Sequence, residues 1–335
     1  IGIGHLRRCL NLADSFASIG YEIHLLLSKD SATELLKLGN GYSSHLLSQR
    51  PSTKTELERL DARDSLRVIS EIPGLVDWVV VDNYLLGWRW EKEILEAGYK
   101  VMAIDDFRHR THWVNLLVSD SPDLFDKKLN RLKTKAEMHV GYKYSLISPR
   151  FDYLLDGIKE TTGKLSRILI TYGGSDPTDE TMKSLLALES IYENSKISHL
   201  SCIDVVLGPL NRNIQTILNM KVRLPNLNIH MAPPCLSNLI RAADLVMTSG
   251  GNSLAEVLSL RKPCLVTATA DNQLAIVKNL FELGVIRLLG VSKIVTSRVI
   301  SNAILEETSR LKDFSKTVIA NPVFDHLGAF RVRDL

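Results

Sequence analysis

The stretch ADLVMTSGGNSLAEVLSLRKPCLV, residues 243–266, holds a strand, a glycine loop, a short helix and the start of a second strand. Its first apolar run ends at Thr248, and Gly250 and Gly251 follow as a loop. A helix starts near Ser253, and Arg261-Lys262-Pro263 ends it before Cys264-Leu265-Val266. Apolar runs without polar alternation suit strands buried on both faces of a parallel sheet. Glu256 lies three residues after Ser253, the spacing of a capping box. Equally, the loop of Ser249, Gly250, Gly251, Asn252 and Ser253 suits a diphosphate at a helix N-terminus, with Glu256 on ribose hydroxyls. Asp271-Asn272-Gln273 follows the second strand. This succession is more specific than any of its parts.

The same alternation runs outward in both directions. RILITYGG (167–174), CIDVVLG (202–208) and NLNIHMA (226–232) have strand character, with helices expected over 178–193, 252–260, 271–283 and 295–312. Towards the front, YEIHLLLS (21–28), DWVVVDNY (77–84), KVMAIDDF (100–107) and NLLVSD (115–120) have strand character. Helical patterns cover 5–19, 31–38, 54–71 and 89–97. Strand–helix alternation predicts a layered α/β fold. The polar segment DGIKETTGKLS (156–166) interrupts it as a linker. We therefore expect two doubly wound halves, 1–157 and 165–335, with the last helix a candidate to pack back on the first. Each half has a glycine turn, but no strand precedes the one at Gly2. A Rossmann-like half needs that strand, so about six to ten residues are expected before Ile1.

The 335 residues suit two domains, and 45% hydrophobic with 24% charged residues is ordinary for a globular chain. A net charge of +3 without a basic run implies no nucleic-acid partner. Cys9, Cys202, Cys235 and Cys264 are scattered, which argues against a disulfide framework or a zinc site and fits a cytosolic protein. No apolar run reaches the roughly 18 residues of a membrane span, so no membrane insertion is expected. The oligomeric state is not legible.

The opening GIGHLRRC places His5 in the first turn of a helix, where the helix field disfavours the imidazolium. The other reading of His5 is a simple cap. Arg7 and Arg8 stand where acids are favoured, so an anion is expected nearby. Asp82 and Tyr84 end a buried strand, where open α/β sheets bind ligands. Asp105 and Asp106 end the next. That pair suits a metal, acid–base work, or a solvated strand end. Gly173-Gly174-Ser175-Asp176 suits either phosphate binding or an ordinary turn and N-cap. Trp88 and Trp90, in LLGWRWEKEIL (85–95), suit a helix packed on the sheet better than a membrane-docking patch.

Together, GIGHLRRCLNLAD, VVVDNY, AIDD, GYKYSLISPRF (141–151), YGGSDP, the 243–266 stretch, ADNQ (270–273) and DHLGAFRV (325–332) resemble a known family. The chain resembles the UDP-sugar hydrolases of pseudaminic acid biosynthesis, which release UDP from UDP-2,4-diacetamido-2,4,6-trideoxy-β-L-altropyranose. Spore-coat polysaccharide proteins share the pattern, and MurG-like glycosyltransferases share it more distantly. The resemblance implies a GT-B-like fold, two Rossmann-like domains facing a cleft. It implies a UDP-sugar substrate, no metal and no cofactor. By position it makes His5 catalytic, beside Gly4 and Arg8. It sets Tyr84 near the sugar and Ser249, Gly250 and Glu256 at the nucleotide, while the strand ends and glycine loops add Asp82, Gly174, Gly251, Asn252 and Ser253 as candidate substrate-binding residues. Asn272 and Gln273 fall at the sugar–phosphate. Where the family often has leucine-arginine, this chain has Ile147-Ser148, with Arg150 two residues on. A glycosyltransferase using a UDP-sugar donor and a non-catalytic sugar-nucleotide-binding protein are the alternatives. Neither glycine loop spells GxGxxG, which argues against an NAD-dependent dehydrogenase.

Overall fold

A computed structural model describes residues 3–28, 41–47, 53–106, 110–121, 132–148, 163–194, 197 and 199–335. Gly2, the helix expected at 31–38, Arg150 and most of the 156–166 linker lie outside them. The chain divides into two compact units, one of residues 1–149 with 327–335, the other of 150–326.

The first unit holds α1 (Ile3–Ala17), β1 (His24–Leu27), β2 (Ser43–Leu46), α2 (Lys54–Glu71), β3 (Val79–Val81), α3 (Trp88–Glu96), β4 (Val101–Ile104), β5 (Leu116–Ser119) and β6 (Glu137–Val140). β3-β4-β5-β6 form a parallel sheet in that order, and β1 and β2 pair separately, also in parallel. Strand side chains alternate between faces, and here both faces are covered. Val101 and Ala103 pack with Leu57, Ala62, Trp90 and Ile94 of α2 and α3. Met102 and Ile104 pack with Leu12 of α1 and with Ala329 and Val332. All four β4 side chains are therefore buried, which is why the sequence shows no polar alternation. Trp90 is buried, with its Nε1 donating to Asp61 Oδ1 at 2.8 Å, so α3 is a packed helix.

The second unit holds β7 (Arg167–Thr171), α4 (Glu180–Glu193), β8 (Cys202–Leu207), α5 (Ile214–Asn219), β9 (Leu227–Met231), α6 (Ser237–Ala242), β10 (Leu245–Ser249), α7 (Asn252–Ser259), β11 (Cys264–Ala268), α8 (Leu274–Glu282), β12 (Arg287–Val291) and α9 (Ser297–Ala320). Its sheet order is β12-β11-β10-β7-β8-β9, all parallel. Counted from β7, that is the doubly wound order 3-2-1-4-5-6. The switch point falls between β7 and β10, so the loops after Thr171 and Ser249 flank the crevice where such sheets bind ligands.

A last helix, α10 (Gly328–Arg333), belongs to the first unit. Ser15 Oγ of α1 donates to Ala329 O at 3.2 Å. Gly328 lies so close to Ser145 that a Cβ there would meet its carbonyl oxygen at 2.1 Å.

Two expected bounds change, and two open readings are narrowed. α1 begins at Ile3, so Gly4 is helical and Arg7 and Arg8 fall in the second turn. α9 runs to Ala320, since no breaker precedes Asn321-Pro322. The Ser253–Glu256 capping box does not form: α7 begins at Asn252 with Gly251 as its cap, which puts Ser253 inside the helix. The first amides of α4 are not open to a phosphate, because the Asp176 carboxylate accepts from Glu180 and Thr181 N–H, both at 2.9 Å.

Candidate functional site

In the first unit the site is built on the C-terminal ends of β3, β4 and β5, where chain direction delivers Asp82, Asp106 and Asp120 side by side. α1 supplies His5 and Arg8, three residues apart and so on one helix face. His5 Nδ1 lies 2.7 Å from Asp82 Oδ1. Arg8 binds the same carboxylate in a fork, Nε to Oδ2 and Nη2 to Oδ1, both at 2.6 Å. Its Nη1 reaches both oxygens of Asp106, at 3.0 and 2.8 Å. Tyr84 closes the ring. Its hydroxyl donates to Asp106 Oδ2 at 2.5 Å, and its ring meets the His5 ring edge-on at 4.4 Å.

Arg8 therefore finds its anions within the protein. All three guanidinium nitrogens are engaged and the side chain is buried, so it organises the carboxylates rather than awaiting an anionic ligand. Asp105 and Asp106 do not act as a pair. Asp106 faces Arg8, whereas Asp105 is buried against Arg110 and His112. Neither is a solvated strand end.

One cation meets two carboxylates here, so the balance is negative. Burial works against the Arg8 charge, but the Asp82 hydrogen bond and the charges of Asp106 and Asp82 outweigh it and hold its pKa above the usual value. Burial would likewise raise Asp82. Arg8 and then His5 overcome that and bring it below the usual carboxylate value. Asp120, whose carboxylate accepts from Ser145 Oγ at 3.1 Å, is pushed up to about 6 by burial and by Asp106, against the pull of Arg8. The sequence reading missed Asp120. Its signal was present: an acid just beyond the apolar run 116–118, with Ser119 between.

With Asp82 on Nδ1, that nitrogen is assigned the ring proton, which leaves Nε2 as the acceptor. Among the described residues no hydrogen bond reaches Nε2, and the His5 side chain keeps 17% of its exposure. The arrangement is that of a base held in one tautomer by a carboxylate. Among the described residues no group of His, Cys, Asp and Glu is placed to hold a metal ion.

In the second unit the loop after β10 is held by a side chain the sequence marked out. Gln273 Oε1 accepts from Gly250 N–H at 3.1 Å, Thr269 N–H at 2.9 Å and Thr269 Oγ1 at 3.2 Å. The Gly250 amide is thus taken by the protein, and the Gln273 amide is oriented with its Nε2 away from these donors. Gly250 has no room for a Cβ, which would stand 2.4 Å from Val277 Cγ1. Ser249 is buried at the strand end, Gly251 caps α7, Asn252 and Ser253 form its first turn and Glu256 is half-buried on its second. Asn272 precedes Gln273 in a short 3₁₀ turn. Gly174 lies across the crevice on the β7 loop, its carbonyl accepting from Leu210 N–H at 3.0 Å. A Cβ on Gly208 would meet that carbonyl oxygen at 2.2 Å, so the two loops touch through backbone.

Two α/β units of this kind, one of them wound 3-2-1-4-5-6, define the GT-B fold. The chain superposes on MurG of Acinetobacter baumannii with a TM-score of 0.67 at 15% identity, covering 99% of this chain and 96% of that one. It superposes on a UDP-N-acetylglucosamine 2-epimerase with a TM-score of 0.63 at 14% identity, over 97% and 91%. On Arabidopsis thaliana UGT89C1 complexed with UDP the values are 0.59 and 14%, over 97% and 95%.

In sequence, the chain is similar to the pseudaminic acid cytidylyltransferase and UDP-2,4-diacetamido-2,4,6-trideoxy-β-L-altropyranose hydrolase of Helicobacter pylori, 23% identical over 85% of this chain and 46% of that protein. It is 24% identical to the uncharacterized protein MJ1062 of Methanocaldococcus jannaschii, over 79% of this chain and 53% of that protein. With the spore coat polysaccharide biosynthesis protein SpsG of Bacillus subtilis it shares 24% over 47% of this chain and 45% of that protein. The chain spans about half the length of the curated relatives it matches. No protein-family model matches it.

Proposed function

We propose that the chain is an enzyme of sugar biosynthesis that hydrolyses a UDP-linked diacetamido-trideoxy sugar at the anomeric carbon, with inversion. The observation that carries this is the Asp82–His5 pair, with Nε2 of the imidazole left to accept a proton. His5 Nε2 takes a proton from water, the water oxygen bonds to the anomeric carbon, and the carbon–oxygen bond to UDP breaks with its electron pair on UDP. A positioned base of this kind is worth about 10²–10⁴-fold. The negative balance of Asp82, Asp106 and Arg8 suits the positive charge that grows on the sugar in such a transition state. Tyr84 contacts the sugar.

The diphosphate belongs to the second unit. There Gly251, Asn252 and Ser253 start α7, whose N-terminus favours anions. Glu256 takes the ribose hydroxyls, and Asn272 and the Gln273 Nε2 contact the sugar–phosphate. Gly174 contributes backbone on the facing loop. The relative from Helicobacter pylori, whose name includes such a hydrolase, supports this substrate class, as does the order of the matching motifs. Among the described residues no helix is long and apolar enough to cross a membrane. We place the activity in the cytoplasm.

A glycosyltransferase using the same donor is the second reading, supported by the GT-B fold that the chain shares with MurG and UGT89C1. Incubation with a panel of UDP-diacetamido sugars separates them. UDP released without acceptor, and lost with His5→Ala while UDP still binds, supports the hydrolase. Release that requires an acceptor hydroxyl supports the transferase. Binding without release in either case leaves only a sugar-nucleotide-binding protein.

A further inference from the structure

Behind the ends of β3 and β4 lies a second set of charges that this chemistry does not use. His112 is 3% exposed. Its Nδ1 stands 2.8 Å from Glu91 Oε1 of α3, and its Nε2 stands 2.8 Å from Asp105 Oδ2. Glu91 Oε2 accepts from Trp113 N–H at 2.6 Å. Asp105 Oδ1 accepts from Arg110 Nη1 at 3.1 Å. Arg110 Nη2 then donates to Leu86 O and, at 3.3 Å, to Asn83 O. The contacts thus run from α3 through His112, Asp105 and Arg110 to the backbone of residues 83–86. That loop starts at Asp82 and carries Tyr84, and Asp105 is the neighbour of Asp106.

Both imidazole nitrogens face carboxylate oxygens, and both can donate only in the imidazolium. Burial pulls the His112 pKa down, but hydrogen bonds to Asp105 and Glu91 outweigh it and raise it to about 9. With the proton in place, His112 and Arg110 balance Glu91 and Asp105. Without it, buried negative charge is left uncompensated, which is costly. A further buried carboxylate also feels the Arg110 charge. Glu58 of α2, on the Arg110 side, stands 3.9 Å from Arg89 Nη1. Lys133 reaches His112 through its backbone N–H, 3.0 Å from the His112 carbonyl.

We propose that His112, donating through both ring nitrogens, is a positioning residue: with Asp105 and Arg110 it fixes the 82–86 loop and the end of β4, and so aligns Asp82, Tyr84 and Asp106 around His5. The catalytic half of this rests on His5 being the base. The positional half does not.

The test compares wild type with His112→Gln, which keeps a hydrogen-bonding group without charge, and with Arg110→Lys, which keeps charge without the fork to Leu86 and Asn83. Amide hydrogen exchange over residues 82–86, corrected for the intrinsic pH dependence, is read beside kcat and KM for UDP release, from neutral pH to beyond pH about 9. Either variant is expected to exchange the 82–86 amides faster than the rest of its unit and to lose kcat about ten- to hundredfold with little change in KM. In wild type, protection of 82–86 and kcat fall together as pH rises through about 9, and His112→Gln lacks that limb. Unaltered exchange over 82–86 overturns the proposal, as does a uniform loss of protection across the unit. If a variant fails to fold, the wild-type pH dependence of exchange decides alone. If wild type releases no UDP, the reading of His5 fails, and the exchange result still upholds or overturns the role of His112.

Discussion

Arg8 shows what a single residue does in this molecule. A cation in an early helical turn called for an anion, and two carboxylates from strand ends supply it, at 2.6 and 2.8 Å. Asp82 carries the heavier load, since it accepts from His5 and twice from Arg8. Asp82→Asn keeps the shape but leaves Arg8 short of a charge and frees the His5 tautomer. We expect kcat to fall by orders of magnitude with a smaller change in KM, and unfolding stability to fall by about 3–5 kcal/mol, the usual cost of breaking a buried pair. Steady-state UDP release and chemical denaturation check the two effects. Because Asp82 titrates below the usual carboxylate value in the folded state, its contribution is present at neutral pH and is lost as pH falls through that lowered pKa. With the capping box gone, Glu256→Ala is expected to raise KM and leave kcat nearly unchanged, since ribose contacts bind ground and transition states alike. An unchanged KM would exclude Glu256 from the nucleotide site. Asp82 was legible in the sequence because it ends an apolar run. The separate fates of Asp105 and Asp106 were not, since the partners that part them, His112 and Arg8, lie 7 and 98 residues away and only the closed fold brings them in.

For the elements, legibility followed apolar content more than burial, since β1 and β9 stood out although they are mostly not buried. β4, β5, β8, β10 and β11 are buried at every position, and each stood out as a largely apolar run, broken in β8 by Asp204. β2 is Ser-Ser-His-Leu and mostly exposed, β6 is Glu-Met-His-Val, and β12 contains Gly290 at φ 129° beside a register shift. The first two offer no apolar run or clean alternation, and in β12 Arg287 and Gly290 interrupt one, so none was foreseen. The short helices α5, α6 and α10, of six residues each, are too brief to show a period. The loop after β10 was foreseen as glycine-dependent, and the structure gives the reason. Gly250→Ala drives a methyl group into Val277 Cγ1 and Gln273 Cβ, at 2.4 and 3.0 Å before relaxation. We expect about 1–3 kcal/mol of destabilisation together with weakened UDP binding, measured by thermal denaturation and calorimetry. Gly208→Ala meets backbone rather than a side chain, at 2.2 Å from Gly174 O, and should be tolerated less well.

For the molecule as a whole, pH acts through opposite groups. His112 is raised from 6.5 to about 9, so its share of stability is complete below the lower value and is lost as pH rises through the higher one. The midpoint of unfolding should fall across that window in wild type and fall less in His112→Gln. A flat profile there would mean that His112 enters the fold without its proton. Deleting residues 327–335 is expected to destabilise the first unit and spare the second, because α10 packs on α1 and on the segment at Ser145.

That same return of the chain bears on how the protein is made. Residues 150–326 are continuous in sequence, whereas the first unit includes 327–335, which are translated only after the whole of the second unit. Until then Leu12, Met102 and Val118 lack the apolar cover of Ala329 and Val332. The nascent first unit therefore exposes apolar surface for as long as residues 150–326 take to be made.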